Sequence, residues 1–148
     1  MTYFVWDSSF NIGVDVIDQQ HRRIVDYINR LDEVQRDKNL EKLQQVVSEL
    51  VDYTLTHFIF EEELLEKANY PFISAHKKVH EAFKNRVSAY QERLNNGEDI
   101  SKEVLSELRI WLTNHIKKDD RDYSSYVIKI LKKSNWITDS IKKLFGRF

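Results

Sequence analysis

The chain has 148 residues, enough for one domain with a substantial hydrophobic core, and 12% aromatic content argues against disorder. Its 23 basic and 24 acidic residues nearly cancel, so no overall field favours nucleic acid as a partner. Without cysteine, disulfides, iron–sulfur clusters and thiolate zinc sites are excluded.

Residues 1–17 show no helical period: Phe4, Trp6, Phe10, Ile12, Val14 and Val16 are apolar, and Gly13 interrupts them. They read as an extended arm laid over the domain, with Trp6 covering part of the core. A first helix is expected after Asp18, a good N-cap, running to about Asp37. Its apolar face is Ile24, Val25, Ile28, Leu31 and Val34, with His21 one turn earlier. A second runs from the cap Asn39 to about Ala68 and is stopped by Asn69-Tyr70-Pro71. A third runs from near Ser74 to Asn95-Asn96-Gly97. A fourth starts near Ser101, with Glu103 and Glu107 in its early turns and Val104, Leu105, Leu108, Trp111, Leu112, His115 and Ile116 inward. The proline and all three glycines fall outside these segments. Four helices of about 20 residues, each close to 30 Å, joined by short links, predict an all-α, up-down-up-down four-helix bundle.

The last stretch is different. Ser134-Asn135 reads as a break and cap and Gly146 as a stop, which divides the chain into a bundle over 1–133 and a tail over 134–148. Trp136, Ile137, Ile141, Leu144 and Phe145 form one stripe, with Phe148 beyond it, while Lys129, Lys132, Lys133, Lys142, Lys143 and Arg147 concentrate positive charge there. A short basic amphipathic helix fits either a fifth helix packed on the bundle or on a neighbouring subunit, or a weak membrane-surface contact. No apolar run reaches the roughly 20 residues of a membrane span, and the start lacks the pattern of a signal peptide, so a cytoplasmic protein is expected.

The chemistry lies in His57-Phe58-Ile59-Phe60-Glu61 and His76-Lys77-Lys78-Val79-His80. Each puts two metal-capable groups four residues apart, on one helix face and about 6 Å apart along the axis. One histidine on an apolar helix face is usually a hydrogen-bonded core residue. Here all five in the chain, His21, His57, His76, His80 and His115, project to the expected core, and every helix supplies at least one. Glu61 adds a carboxylate, and an unpaired buried charge is very costly, so a bound cation is the natural partner.

The fourth helix offers a second carboxylate in two versions. Asp119 shares the face of His115 on a regular helix, whereas Asp120 is turned roughly 140° away unless the helix widens locally into a π-bulge. Oxygen and imidazole donors without sulfur suit iron or manganese, with zinc also open. Seven protein ligands are too many for one ion. Five imidazoles, two bridging carboxylates and an oxo or hydroxo bridge leave two octahedral ions one position short of saturation, a natural place for a small ligand.

Together these motifs resemble the hemerythrin family, specifically its single-domain bacterial members. The likeness rests on Asp18-Gln19-Gln20-His21; on His57-Phe58 with Glu61-Glu62; on Tyr70-Pro71 followed by His76, His80 and Phe83; and on Trp111-Leu112, His115-Ile116, Asp120 and Tyr123. The resemblance implies a non-haem di-iron centre with an oxo or hydroxo bridge inside a four-helix bundle, binding dioxygen reversibly. It implies His76, His80 and His115 on one filled iron, His21 and His57 on the iron with the open position, and Glu61 and Asp120 as bridging carboxylates. It thus selects Asp120 over Asp119 and requires the helix irregularity. By position it makes Ile24, Phe58, Leu112 and Ile116 the wall of a dry oxygen pocket, with Trp6 and Trp111 near its edge. The expected role is oxygen storage or delivery rather than enzymatic turnover. Oxidases on helix bundles use Glu-x-x-His motifs, and none occurs here. The alternatives are a di-iron oxidase or peroxidase and an oxygen or redox sensor; a sensor would need an output domain, for which this length leaves no room.

Overall fold

The computed structural model describes residues 2–131, 136–146 and 148. Four long helical stretches carry the fold: α1 (Asp15–Arg36), α2 (Leu40–Lys67), α3 (Ile73–Asn95) and a fourth that divides into α4 (Ser101–Asn114), a π-helical turn (His115–Asp120) and α5 (Arg121–Leu131). A short α6 (Trp136–Phe145) follows, and the arm contains a 3-10 turn at Ser8–Phe10. No strand occurs among the described residues. The chain reverses through links at 37–39, 68–72 and 96–100, and α1 packs on α2, α2 on α3, α3 on α4 and α4 on α1, which closes the bundle.

The ends of the helices follow local chemistry. Asn39 caps α2 by accepting a hydrogen bond from the Lys42 amide at 3.1 Å. Helix α2 ends before the proline acts: Asn69 adopts a left-handed φ of 52°, and the amides of Tyr70 and Asn69 bond back to the carbonyls of Leu65 and Glu66. Gly97 closes α3 in the same way at φ 88°, with Glu98 bonding back to Arg93.

The start of α1 differs from expectation. The helix begins four residues earlier, at Asp15, and Val14 occupies the cap without a side-chain bond. Asp18 is therefore not an N-cap. Its buried carboxylate accepts from the amides of Ile12 (2.9 Å) and Gly13 (3.3 Å), so it ties down the incoming arm from the helix's first turn. The chemistry that makes aspartate a good cap serves the loop in front of the helix instead.

The arm covers the bundle from one side. Phe4 and Phe10 are buried, Phe4 exchanges two hydrogen bonds with the Asn29 side chain, and Arg121 donates to the Ser9 carbonyl at 2.5 Å. Trp6 is half-buried against Phe10, with the Arg22 guanidinium over its ring.

The expected break at Ser134-Asn135, the 133/134 division, Lys132, Lys133 and Arg147 lie outside the described residues. Helix α6 lies on α2: the half-buried Phe145 meets the rings of Tyr53 at 5.5 Å and Phe60 at 5.8 Å, and Phe148 meets Tyr53 at 5.0 Å. Ile137, Ile141 and Leu144 pack on the same core, so these residues of the apolar stripe are covered within the chain, while the Trp136 side chain lies outside what is described. Burial pushes the Tyr53 hydroxyl up to about 12. Phe145→Ala should cost about 2 kcal/mol, roughly half the penalty for a fully buried phenylalanine. It should also let the Tyr53 pKa fall back toward 10, because less of the ring is shielded from water. Thermal melts with an ultraviolet tyrosine titration check both; an unmoved Tyr53 would mean that α6 does not shield it in solution.

Candidate metal centre

The five histidines and two carboxylates converge at the middle of the bundle. His57 and Glu61 stand one turn apart on α2, with Nε2 and Oε2 3.2 Å from each other. His76 and His80 are one turn apart on α3, ring centroids 4.6 Å apart. His21 comes from α1, and His115 and Asp120 open and close the π-helical turn. All seven are buried, none more than 4% exposed. The wider turn brings His115 and Asp120 onto one inner face although five residues separate them, whereas on a regular helix Asp120 would point roughly 140° away.

The two carboxylates are shared between two groups of imidazoles. Glu61 Oε1 faces His76 Nε2 (2.6 Å) and His80 Nε2 (3.1 Å), while its Oε2 faces His57 Nε2. Asp120 Oδ1 faces His115 Nε2 (3.1 Å) and His76 Nε2 (3.3 Å), while its Oδ2 faces His21 Nε2 (3.0 Å). One donor atom each from Glu61, His76, His80, His115 and Asp120 lies within 4.8 Å of every other, and the same holds for His21, His57 and Glu61.

Several contacts call for a proton or a metal cation between the groups. Both nitrogens of His21 and both oxygens of Asp120 are buried without a hydrogen-bond partner, and their 3.0 Å approach lacks hydrogen-bond alignment. His80 Nε2 and His115 Nε2 stand 3.0 Å apart, a separation that two bare lone pairs keep only with a proton or metal between them. The donor set is nitrogen and oxygen alone, which suits iron, manganese or zinc.

Three imidazoles are held from behind. His57 Nδ1 donates to Gln20 Oε1 (2.6 Å), His80 Nδ1 to Glu62 Oε2 (3.0 Å) and His115 Nδ1 to Asp119 Oδ2 (2.8 Å). Each bond fixes the tautomer that leaves Nε2 bare toward the centre. Asp119 thus shares the face of His115, as regular geometry expects, but stands behind the ring. Gln20, Glu62 and the Tyr123 hydroxyl, which donates to Glu61 Oε2 at 3.0 Å, have no role in the sequence reading. Their only signal there is that they stand in the motifs that carry the resemblance.

Of the residues expected around an oxygen pocket, Ile24, Phe58, Leu112 and Ile116 are buried and Trp111 and Trp6 half-buried. Phe58 stacks on His80 at 3.8 Å, and Trp111 stacks on His115 at 4.4 Å and on Phe83 at 3.7 Å. Trp6 belongs to the arm. A surface cleft of about 530 Å³, lined among others by Leu55, Ile59, Glu62 and Lys78, reaches Phe58 and His80.

In the metal-free chain the centre balances charge with protons. Burial opposes the His76 cation, but the Asp120 and Glu61 carboxylates that face its Nε2 outweigh it and raise its pKa to about 10. Burial likewise opposes the His115 cation, and the Asp120 charge prevails, raising it to about 9. Burial favours neutral carboxyls at Glu61 and Asp120, yet the surrounding imidazoles hold both well below the usual range. Burial pushes His57 down.

The sign of the pH dependence follows. His76 and His115 bind protons more tightly folded than unfolded, where the value is about 6.5. Their contribution to stability is complete below pH of about 6.5 and is lost as pH rises through 9 and 10. The carboxylates contribute above their ordinary values near 4 and lose that contribution as pH falls. The metal-free chain should therefore lose Tm between pH 7 and 10. The metal-loaded chain should not, because metal replaces those protons. Parallel melts check this, and equal slopes would overturn it.

The Hemerythrin HHE cation binding domain family matches residues 12–127. The chain is 45% identical to a bacteriohemerythrin of Stenotrophomonas maltophilia, over 99% of this chain and all of the other. It is 44% identical, with the same coverage, to a bacteriohemerythrin of Pseudomonas aeruginosa. It superposes on a crystal structure of wild-type hemerythrin with a TM-score of 0.81 at 28% identity, covering 84% of this chain and 98% of that one. With a family model that matches most of the chain, near full-length relatives and a matching fold, this chain belongs to the hemerythrin family.

Proposed function

We propose that this chain binds dioxygen reversibly at a pair of non-haem iron ions joined by an oxo or hydroxo bridge, as an oxygen store or delivery protein rather than an enzyme. The observation that carries this is the split of donors. Each of Glu61 and Asp120 turns one oxygen to the set His76, His80, His115 and the other to His21 or His57. Three imidazoles and two carboxylates fill one position set, whereas two imidazoles and the same carboxylates leave the other one donor short. Iron held there would supply the electrons that dioxygen takes up on binding and gives back on release. The relatives named bacteriohemerythrin support the same reading.

The chain's own part is positioning and exclusion of water. Gln20, Glu62 and Asp119 hold three rings with Nε2 inward, so the centre is organised before metal arrives. Tyr123 gives Glu61 Oε2 a hydrogen bond, and burial with the nearby carboxylates keeps its phenol neutral by pushing its pKa well above 10. Ile24, Phe58, Leu112 and Ile116 keep the surroundings apolar and seal the centre. No Glu-x-x-His pair is present. Five imidazoles make the donor set less anionic than a four-carboxylate site, which favours binding over turnover.

The test is iron analysis followed by stopped-flow mixing of the reduced, iron-loaded chain with oxygen. Two iron ions per chain and a visible band that disappears when oxygen is removed are expected. A colourless or mononuclear protein, or a band that decays while a substrate is oxidised, would overturn the reading.

A further inference from the structure

A line of tyrosines leads away from the centre to the surface. The Tyr123 ring, fully buried, stands 5.5 Å from the ring of His76, and its hydroxyl is bonded to Glu61. Tyr70, 7% exposed, stands 6.2 Å from Tyr123 and edge-on to His76 at 6.5 Å. Tyr126, 36% exposed, stands 5.2 Å from Tyr70. Three phenols thus run from the metal ligands to solvent with no larger gap between rings than 6.2 Å. Packing alone does not require this order: phenylalanine would fill the Tyr70 and Tyr126 positions as well.

Phenol is among the few side chains that give up one electron to a strong oxidant, provided the proton has somewhere to go. Tyr123 has Glu61 Oε2 at 3.0 Å as acceptor, and Tyr126 has water. Electron tunnelling between rings in near contact is fast, so a vacancy created at Tyr123 is filled from Tyr70, and that at Tyr70 from Tyr126.

We propose that Tyr123, Tyr70 and Tyr126 form an electron relay through which hydrogen peroxide, reduced at the metal centre, draws its electrons from the protein surface, so that oxidative damage emerges at Tyr126 and spares the ligand histidines. The relay rests on the redox-active metal pair proposed above. The chemistry closes without a further reagent. One hydrogen peroxide takes two electrons and two protons and leaves as two waters, its O–O bond broken. The first electron leaves Tyr126 of the same chain along the relay, and its proton goes to water. The phenoxyl so formed bonds, through the carbon beside its oxygen, to the same carbon of a Tyr126 phenol on a second chain. The joined radical returns the second electron along the first chain's relay and releases a proton to water, and the rings regain their hydroxyls as displaced ring hydrogen moves to oxygen. A second outlet exists on the other side, where Trp111 stacks on His115 at 4.4 Å. Beyond Trp111 stands Phe83, whose benzene ring resists oxidation, so that branch does not continue.

The experiment treats the iron-loaded chain with a few equivalents of hydrogen peroxide. It follows dityrosine fluorescence, covalent dimer on denaturing gels and the oxidised residues by peptide mass mapping. Iron content and visible spectrum are recorded first. A chain that takes up no iron sinks both the metal reading and the relay; one that takes up iron yet shows no Tyr126 coupling sinks only the relay. The expected result is a dimer joined through Tyr126 in the iron-loaded chain and none in the metal-free chain. Tyr126→Phe should abolish it, and Tyr70→Phe should lower its yield several-fold and shift oxidation inward. Both variants should keep the iron content and spectrum of the parent. Equal coupling in Tyr70→Phe, equal coupling without metal, or oxidation confined to Trp111 and the histidines would overturn the proposal.

Discussion

Asp120→Ala is expected to abolish uptake of two iron ions per chain, whereas Asp119→Ala keeps both ions and only loosens their hold. The two residues are neighbours with the same carboxylate, so the contrast tests position alone. Asp120 is fully buried, and its two oxygens face His115 and His76 on one side and His21 on the other. Alanine there removes a donor from both groups at once and leaves Glu61 as the single shared carboxylate. Asp119 is 41% exposed at its side chain and touches the centre only through His115 Nδ1 at 2.8 Å. Losing such an outer partner typically costs about 10–100-fold in metal affinity while the ligand count stays intact. Titration of the metal-free variants with ferrous iron under nitrogen, followed by iron analysis, separates the two. Near-normal stoichiometry in Asp120→Ala with loss in Asp119→Ala would reverse the assignment.

That pair also marks what the sequence could and could not reveal. His57 with Glu61 and His76 with His80 are legible because four residues on a regular helix put two side chains on one face, and both helices are regular there. Asp120 is not legible from that rule, since the same period selects Asp119. Only the π-helical turn brings it inward, and no residue in His115–Asp120 announces a wider turn. Asp18 misleads for a related reason. A carboxylate that accepts backbone amides suits an N-cap and a loop tether equally, and which amides it meets depends on the path of the arm. Gln20 and Glu62 pair with histidines 37 and 18 residues away, contacts that depend on how α1 and α3 pack against α2 and leave no periodic trace. The tail's stripe is plain in the sequence, but a stripe names no partner; Phe145 against Tyr53 and Phe60 identifies it.

Leu112→Asn should speed loss of the oxygenated band on the order of ten-fold, equivalent to about 1.4 kcal/mol off the barrier. Leu112 is 4% exposed and three residues before His115, so its side chain lies one turn away on the same face. An amide there has no partner of its own in an apolar wall and is satisfied most cheaply by drawing in water. Water and the protons it carries are what a reversible oxygen site must exclude, because they turn release of oxygen into irreversible oxidation. General loosening of the bundle could produce a faster decay too, so the comparison that decides is Leu43→Asn. Leu43 is equally buried, at 5%, but sits fourteen residues before His57 on α2, about 21 Å along the axis. Both variants should lose Tm to a similar degree, while the oxygenated band should decay quickly only in Leu112→Asn. If the two decay alike, fraying of the fold sets the rate; if neither accelerates, Leu112 does not guard the centre from water.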